Sequence, residues 1–252
     1  MNAHETYLHW LNSPAITEEE RAELRAIEGN EDEILSRFAS YLSFGTAGLR
    51  GTMKAGTNAM NVHTVAHATQ GLANLILKEG RAADGVVIAY DSRNNSPLFA
   101  RTAASVLAAN GIGVYLFDAL RPTPELSFAL RYLKCVAGIN ITASHNPKAY
   151  NGYKAYWEDG AQLPPEHAAV VSEEIGKLDI FTDTDGILTK VLEDDAKGLI
   201  QALNIIGFQI LSVQKDTAGS GIVQTGQQFD KGRLTGAVLA QQGMDLALFQ
   251  LK

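Results

Sequence analysis

The chain has 252 residues, of which 46% are apolar and 19% charged, with a net charge of -7 and one cysteine. That composition supplies a core and sets disorder aside, and the length suits one large domain, or one domain and part of a second. No internal disulfide can form, no apolar run reaches the length of a membrane span, and the first twenty residues lack a basic-then-apolar signal, so the expectation is a soluble cytoplasmic protein with no membrane partner.

Taken in chain order, the first forty residues predict helices. In "TEEERAELRAIEG", Thr17 is an N-cap candidate, three glutamates fill the first turn and Gly29 stops the helix. "NEDEILSRFASYL" repeats the pattern from Asn30. In "VHTVAHATQGLANLILKEG", Val62, Val65, Ala66, Thr69, Leu72, Ala73, Ile76 and Leu77 share one helix face, and Gly80 is the stop. "GVVIAYD" (85–91) predicts a buried strand, "SPLFARTAASVLAANG" a helix entered at Ser96 and Pro97, and "IGVYLFD" a second strand. A helix "LSFALRYLK" leads to a third strand, "CVAGINIT", and Pro164 and Pro165 start another helix. Strands alternating with helices predict an α/β fold, a layered and mostly parallel sheet with helices on both faces. From about residue 208 the chain turns Gly- and Gln-rich without sustained periodicity. The domain division expected is a helical extension over 1–40, an α/β domain over 41–205, and a truncated or divergent start of a second domain over 206–252.

Charge is unevenly spread. Residues 41–160 carry 11 basic and 7 acidic groups, whereas residues 1–40 carry 3 and 9, and residues 161–252 carry 7 and 12. The overall negative field disfavours nucleic acid. The locally positive middle suits either a small anionic ligand such as a phosphate ester or simply a solvated surface.

The third strand runs into "ITASHNPKAYNGYKAYW" (141–157), and open α/β sheets place their sites beyond the carboxyl ends of strands. Ser144 is the loop's one side chain able to carry a covalent group. On an extended chain His145 points to the opposite side, so it is not automatically the base for Ser144. No G-x-S-x-G surrounds the serine, against a nucleophile elbow and a serine hydrolase. Asn151-Gly152 predicts a type I′ reversal that sends Lys154 back toward the serine, where its ammonium can pair with phosphate or move a proton. Ordinary turn chemistry and a solvated lysine account for the same residues. "FGTAGLRG" (44–51) sets glycines around Arg50, a fixed cationic fork for phosphate, but lacks the Gly-Lys-Ser/Thr of a P-loop.

"FGTAGLRG", "YDSR" (90–93), "PTPELSFA" (122–129) and the Ser144 loop, in that order, resemble the α-D-phosphohexomutase superfamily, chiefly its phosphoglucomutase and phosphopentomutase members, over roughly residues 40–180. The resemblance implies the superfamily's domain I and an isomerase activity. In it, a phosphoserine at Ser144 exchanges a phosphoryl group with a sugar 1-phosphate or a 6- or 5-phosphate through a bisphosphate. It also implies that His145 and Lys154 move protons and that Arg50 approaches the phosphoserine. Asn146, Arg93 and Lys148 are expected at the phosphosugar, with Asn146 shaping the loop and Arg93 supporting. Mg2+, bound in part through the phosphoryl group on Ser144, and glucose 1,6-bisphosphate as activator are implied as well.

Members of that superfamily are longer, and their metal loop has three alternating aspartates followed by an arginine. Asp183 and Asp185 in "TDTDGI" imitate two, but Ile187 takes the third position, so a polar linker is the expectation there. The chain is therefore expected either to work with the missing remainder of the enzyme or to be a non-catalytic domain that folds or binds a partner. His63 and His67, four apart on a helix, are expected on its flank rather than on a metal, Cys135 as a buried apolar residue, and Phe128, Tyr132, Tyr150, Tyr153, Tyr156 and Trp157 as packing.

Overall fold

The computed structural model describes residues 1–46 and 48–181. The expectations for Asp183, Asp185 and Ile187, and for the stretch 206–252, lie outside those residues, as does the end of the domain expected over 41–205.

Three helices open the chain: α1 (Ala3–Asn12), α2 (Glu18–Arg25) and α3 (Glu31–Phe38). Each starts where a side-chain oxygen takes an otherwise unpaired backbone N–H. Asn2 and Thr17 form reciprocal capping boxes with Glu5 and Glu20, and Asn30 accepts from the Glu33 amide. Their apolar faces meet in a cluster of Tyr7, Trp10, Leu24, Ile34 and Phe38, which also takes in Ala55, Ile180 and Phe181. Arg37 carries this layer to the rest of the domain. It pairs with Glu23 and Glu33 and donates to the Ala55 carbonyl, so the segment after the first strand is pinned to α3.

The sheet has five strands: β1 (Leu49–Thr52), β2 (Val86–Tyr90), β3 (Val114–Leu116), β4 (Ala137–Ile141) and β5 (Tyr150–Trp157), in the spatial order β1-β5-β4-β2-β3. β3, β2 and β4 pair in parallel, and β5 is antiparallel to both β4 and β1. Four strands thus run one way and β5 alone runs back, which fits the mostly parallel sheet expected. Ile88, Ile139, Ile141 and Tyr153 point to a face covered by α4 (Val62–Lys78), α5 (Ser96–Ala109) and α7 (Pro165–Ile175). Gly138 and Asn140 point to the other face, where α6 (Thr123–Leu133) lies with Leu126 and Leu130 against Gly138. Helices therefore cover both faces, as two buried faces require.

One expectation is corrected. Asn151-Gly152 is not a turn; both residues lie inside β5, with Asn151 fully buried. The reversal occupies residues 142–149, between Ile141 and Tyr150. His63 and His67 both lie on α4, buried. The His63 ring is buried between Trp10 and Phe181, with Nε2 3.2 Å from a Glu20 carboxylate oxygen. His67 Nε2 lies 3.2 Å from the Leu178 carbonyl oxygen, so the two rings serve different contacts.

Cys135 is buried, and burial pushes its thiol up to about 12, in line with an inert apolar role. Tyr153, Tyr156 and Trp157 are buried; Phe128 and Tyr132 stack on the outside of α6 at 5.6 Å. Among the described residues no helix is long and apolar enough to cross a membrane.

Glu174 clips α7 to α4 by accepting from Lys78 (2.6 Å), and it also accepts from Lys177 (2.7 Å), three residues on in its own segment. Those hydrogen bonds hold its carboxyl down at about 2 against an ordinary 4.5, with burial working the other way. A depressed carboxyl stabilises the fold above its unfolded value and loses that contribution as pH falls through the folded one. Glu174→Gln should therefore be destabilised near neutral pH, with the difference from the parent shrinking as pH is lowered from about 4.5 to about 2. Urea denaturation at a series of pH values reads it, and a pH-independent difference would contradict the assignment.

Candidate functional site

The turn between β4 and β5 leaves the carboxyl end of β4, and the segment Asp91–Asn94 leaves that of its parallel neighbour β2. Their ends meet in a cleft of about 400 Å3 lined by Asp91, Ser92, Arg93, Asn94, Ser144, Asn146 and Lys148. Ser92 and Asn94 were not singled out from the sequence; the "YDSR" stretch that contains Ser92 was the available signal.

Ser144 sits exposed at the tip, in the left-handed backbone region at φ 57. Its amide donates to Thr142 Oγ1 at 3.0 Å, which holds the bend. The alternation of an extended chain fails at this residue, so His145 is turned to the same side and its Nδ1 lies 3.4 Å from Ser144 Oγ.

Arg93 holds the loop from beneath. Nη1 donates to the carbonyls of Pro147 (3.0 Å) and Tyr150 (3.1 Å), and Nη2 donates to those of Ser144 and Asn146 (both 2.7 Å). Nε faces Asp91 Oδ2 at 3.3 Å. The whole fork is turned to protein oxygens rather than outward into the cleft. Asp91 is held in turn. Its Oδ1 accepts from the Arg93 amide (2.9 Å) and from Ser96 Oγ (2.8 Å), and Ser96 accepts from Asn151 Nδ2 (2.9 Å). A buried asparagine inside β5 is thus tied through Ser96, Asp91 and Arg93 to the backbone that presents Ser144.

Arg50 and Lys154 reach the site from the sheet. The register sets Arg50 opposite Gly152, two residues from Lys154 on the same face of β5. Arg50 is exposed, and its Nη1 donates to Asn146 Oδ1 at 3.0 Å, so β1 touches the serine loop directly. Lys154 is half-buried; burial lowers its pKa, the Arg50 charge lowers it further, and Asp91 acts against both. Lys148 is exposed at the rim of the cleft. The structure therefore brings Ser144, His145, Asn146, Lys148, Arg50, Lys154 and Arg93 into one region.

Among the described residues no group of three or more His, Cys, Asp or Glu side chains could hold a metal ion. For Mg2+, those residues supply no donor set.

The family pattern described as "Phosphoglucomutase/phosphomannomutase, alpha/beta/alpha domain I" matches residues 41–180. The chain is 52% identical over 137 residues to a phosphoglucomutase of Staphylococcus epidermidis, covering 54% of this chain and 25% of that protein. It is 42% identical over 177 residues to a phosphopentomutase of Pongo abelii, covering 67% of this chain and 29% of that one. A crystal structure of the Paramecium phosphoprotein parafusin, a phosphoglucomutase, aligns at 25% identity and TM-score 0.48 over 57% of this chain and 27% of that one. The match thus spans under a third of the length of each of these proteins.

Proposed function

Because the chain belongs through residues 41–180 to the phosphoglucomutase/phosphomannomutase family, we propose that it is the phosphoserine domain of a phosphosugar mutase, completed by further polypeptide as in the longer relatives. The observation that carries this is the presentation of Ser144: an exposed hydroxyl on a loop whose carbonyls are held by one buried-anchored arginine, with an imidazole and cationic groups around it.

In this reading Ser144 Oγ attacks a phosphorus of a sugar bisphosphate. The new O–P bond forms as the P–O bond to the sugar breaks. The hydroxyl proton passes to His145 Nδ1, and the departing sugar oxygen takes a proton from Lys154, whose lowered pKa makes it a readier donor than a free lysine. Arg50, Lys154 and Lys148 neutralise charge on the phosphoryl oxygens, and the loop supplies position, which is most of what phosphoryl transfer asks of a protein. Run backward onto the other hydroxyl of a sugar monophosphate, the same step regenerates a bisphosphate. Asn146 keeps Arg50 at the loop, and Arg93 acts as a positioning residue. Mg2+ is the metal the family leads one to expect, and it would add charge neutralisation at the phosphoryl group. No step here passes through it.

The test supplies a hexose 1,6-bisphosphate and a pentose 1,5-bisphosphate separately, each with Mg2+. Release of one equivalent of sugar monophosphate per chain from either is the expected result, and the better donor identifies the sugar class. No release from either donor by folded protein would overturn the proposal.

A further inference from the structure

Ser96 is the first residue of α5 and Asn151 the second of β5, and both are fully buried. Polar side chains in such places are costly unless their groups are paired, and here they are paired with one another. Asn151 Oδ1 accepts from the Gly152 amide at 2.8 Å, and its Nδ2 donates to the Asn94 carbonyl at 3.0 Å and to Ser96 Oγ at 2.9 Å. A backbone N–H can only donate and a carbonyl can only accept, so Gly152 and Asn94 settle which way the amide lies. Ser96 Oγ therefore receives the amide, and its single proton goes to Asp91 Oδ1 at 2.8 Å, a carboxylate oxygen that only accepts.

Asp91 passes that constraint on. Its Oδ1 also accepts from the Arg93 amide at 2.9 Å, and its Oδ2 stands 3.3 Å from Arg93 Nε. Two donors on Oδ1 fix the rotation of the carboxylate and with it the place of Oδ2. A guanidinium is planar, so an anchored Nε sets the direction of both Nη groups. Those groups hold the carbonyls of Ser144, Asn146, Pro147 and Tyr150. The Asp91 side chain is 28% exposed, so with the Ser96 hydroxyl gone water can take its place on Oδ1, and the carboxylate can turn.

We propose that Ser96 is a positioning residue for the Arg93 fork, held in place by Asn151 and acting through Asp91 on the stance of Ser144. The buried hydroxyl sets the angle of the fork, and so ties the serine loop to the start of α5 and to the sheet. Asn94, held by the same Asn151 amide, lines the cleft together with Ser144, so one buried side chain in β5 fixes backbone on the β2 side of the cleft as well as the loop. Why the stance of Ser144 matters rests on the mutase reading, in which it accepts a phosphoryl group; the geometry of the fork does not.

The test is Ser96→Ala, which removes one buried oxygen and leaves the Ser96 backbone bond to the Arg93 carbonyl (3.2 Å) in place. The first readout is the Arg93 guanidinium in the full chain carrying 13C and 15N in arginine, assigned with Arg93→Lys. A fork held at both ends turns slowly about its Nε–Cζ bond and shows separate Nη1 and Nη2 resonances, whereas a released one shows a single averaged resonance. The parent should show two and Ser96→Ala one. The same pattern in both folded proteins, whether two resonances or one, would overturn the proposal. The second readout is single-turnover acceptance of a phosphoryl group from glucose 1,6-bisphosphate. Ser96→Ala should slow it by about 10-fold in the parent and add no slowing to Arg93→Lys, where the fork it acts through is already gone. Equal slowing in both backgrounds would overturn the proposal. No sugar phosphate enters the first measurement. Averaging confined to Ser96→Ala, together with no phosphoryl acceptance by any of the proteins, would leave the positioning standing and remove the mutase reading alone.

Discussion

Gly48→Ala is expected to destabilise the protein by about 3–5 kcal/mol, a large part of the stability of an ordinary domain. Gly48 has φ +75, and a Cβ built on it would lie 1.9 Å from the Tyr153 carbonyl oxygen. The first fact costs a non-glycine residue backbone strain. The second cannot be relieved by a side-chain rotation, because the obstacle is the backbone of β5. Gly45, which exchanges backbone hydrogen bonds with Gly48, has nothing within 4 Å of its own Cβ position. Gly45→Ala should therefore change stability by less than about 0.5 kcal/mol. Thermal or urea unfolding of the two variants checks the contrast, and equal effects would contradict the close approach of β1 to β5. The approach serves the site, since β1 carries Arg50 to the serine loop.

Arg93→Leu is expected to leave the sheet folded and to slow phosphoryl acceptance by about 100-fold or more, the scale of a roughly 1 Å misplacement of a reacting group. The side chain makes four hydrogen bonds to the carbonyls of Ser144, Asn146, Pro147 and Tyr150. Arg93→Lys should fall nearly as far, because an ammonium cannot reproduce a planar fork that spans four carbonyls. Single-turnover phosphorylation, with amide exchange over residues 143–150 as a second readout, checks both variants. A lysine variant at near-parental rate would mean that positive charge, rather than the fork, is what this position supplies.

Much of the architecture is legible in local chemistry. Thr17 and Asn30 cap the helices assigned to them, and the β-branched runs at 86–90 and 137–141 are strands. The exceptions share a physical cause, which is partners distant in the chain. Asn151-Gly152 has the composition of a hairpin turn. Inside β5, however, the Asn151 amide is used on Asn94 and Ser96, and a Cβ on Gly152 would lie 2.7 Å from the Thr142 carbonyl oxygen. Tertiary contact overrides the local preference, and the bend moves to the residues around Ser144. The Arg93 clamp joins residues 51 to 57 positions apart, so no window of sequence contains it. At the site itself, the serine, histidine, lysine and arginine were legible as types and in order. Their mutual distances depended on the αL backbone of Ser144 and on β1 lying beside β5.

The account centres on Ser144 as a phosphoryl acceptor, and the most direct measurement is the intact mass of the folded chain after incubation with glucose 1,6-bisphosphate and Mg2+. The predicted result is a gain of one phosphoryl group by the parent protein and none by Ser144→Ala. A folded parent that gains nothing, or a gain that survives in Ser144→Ala, would contradict it.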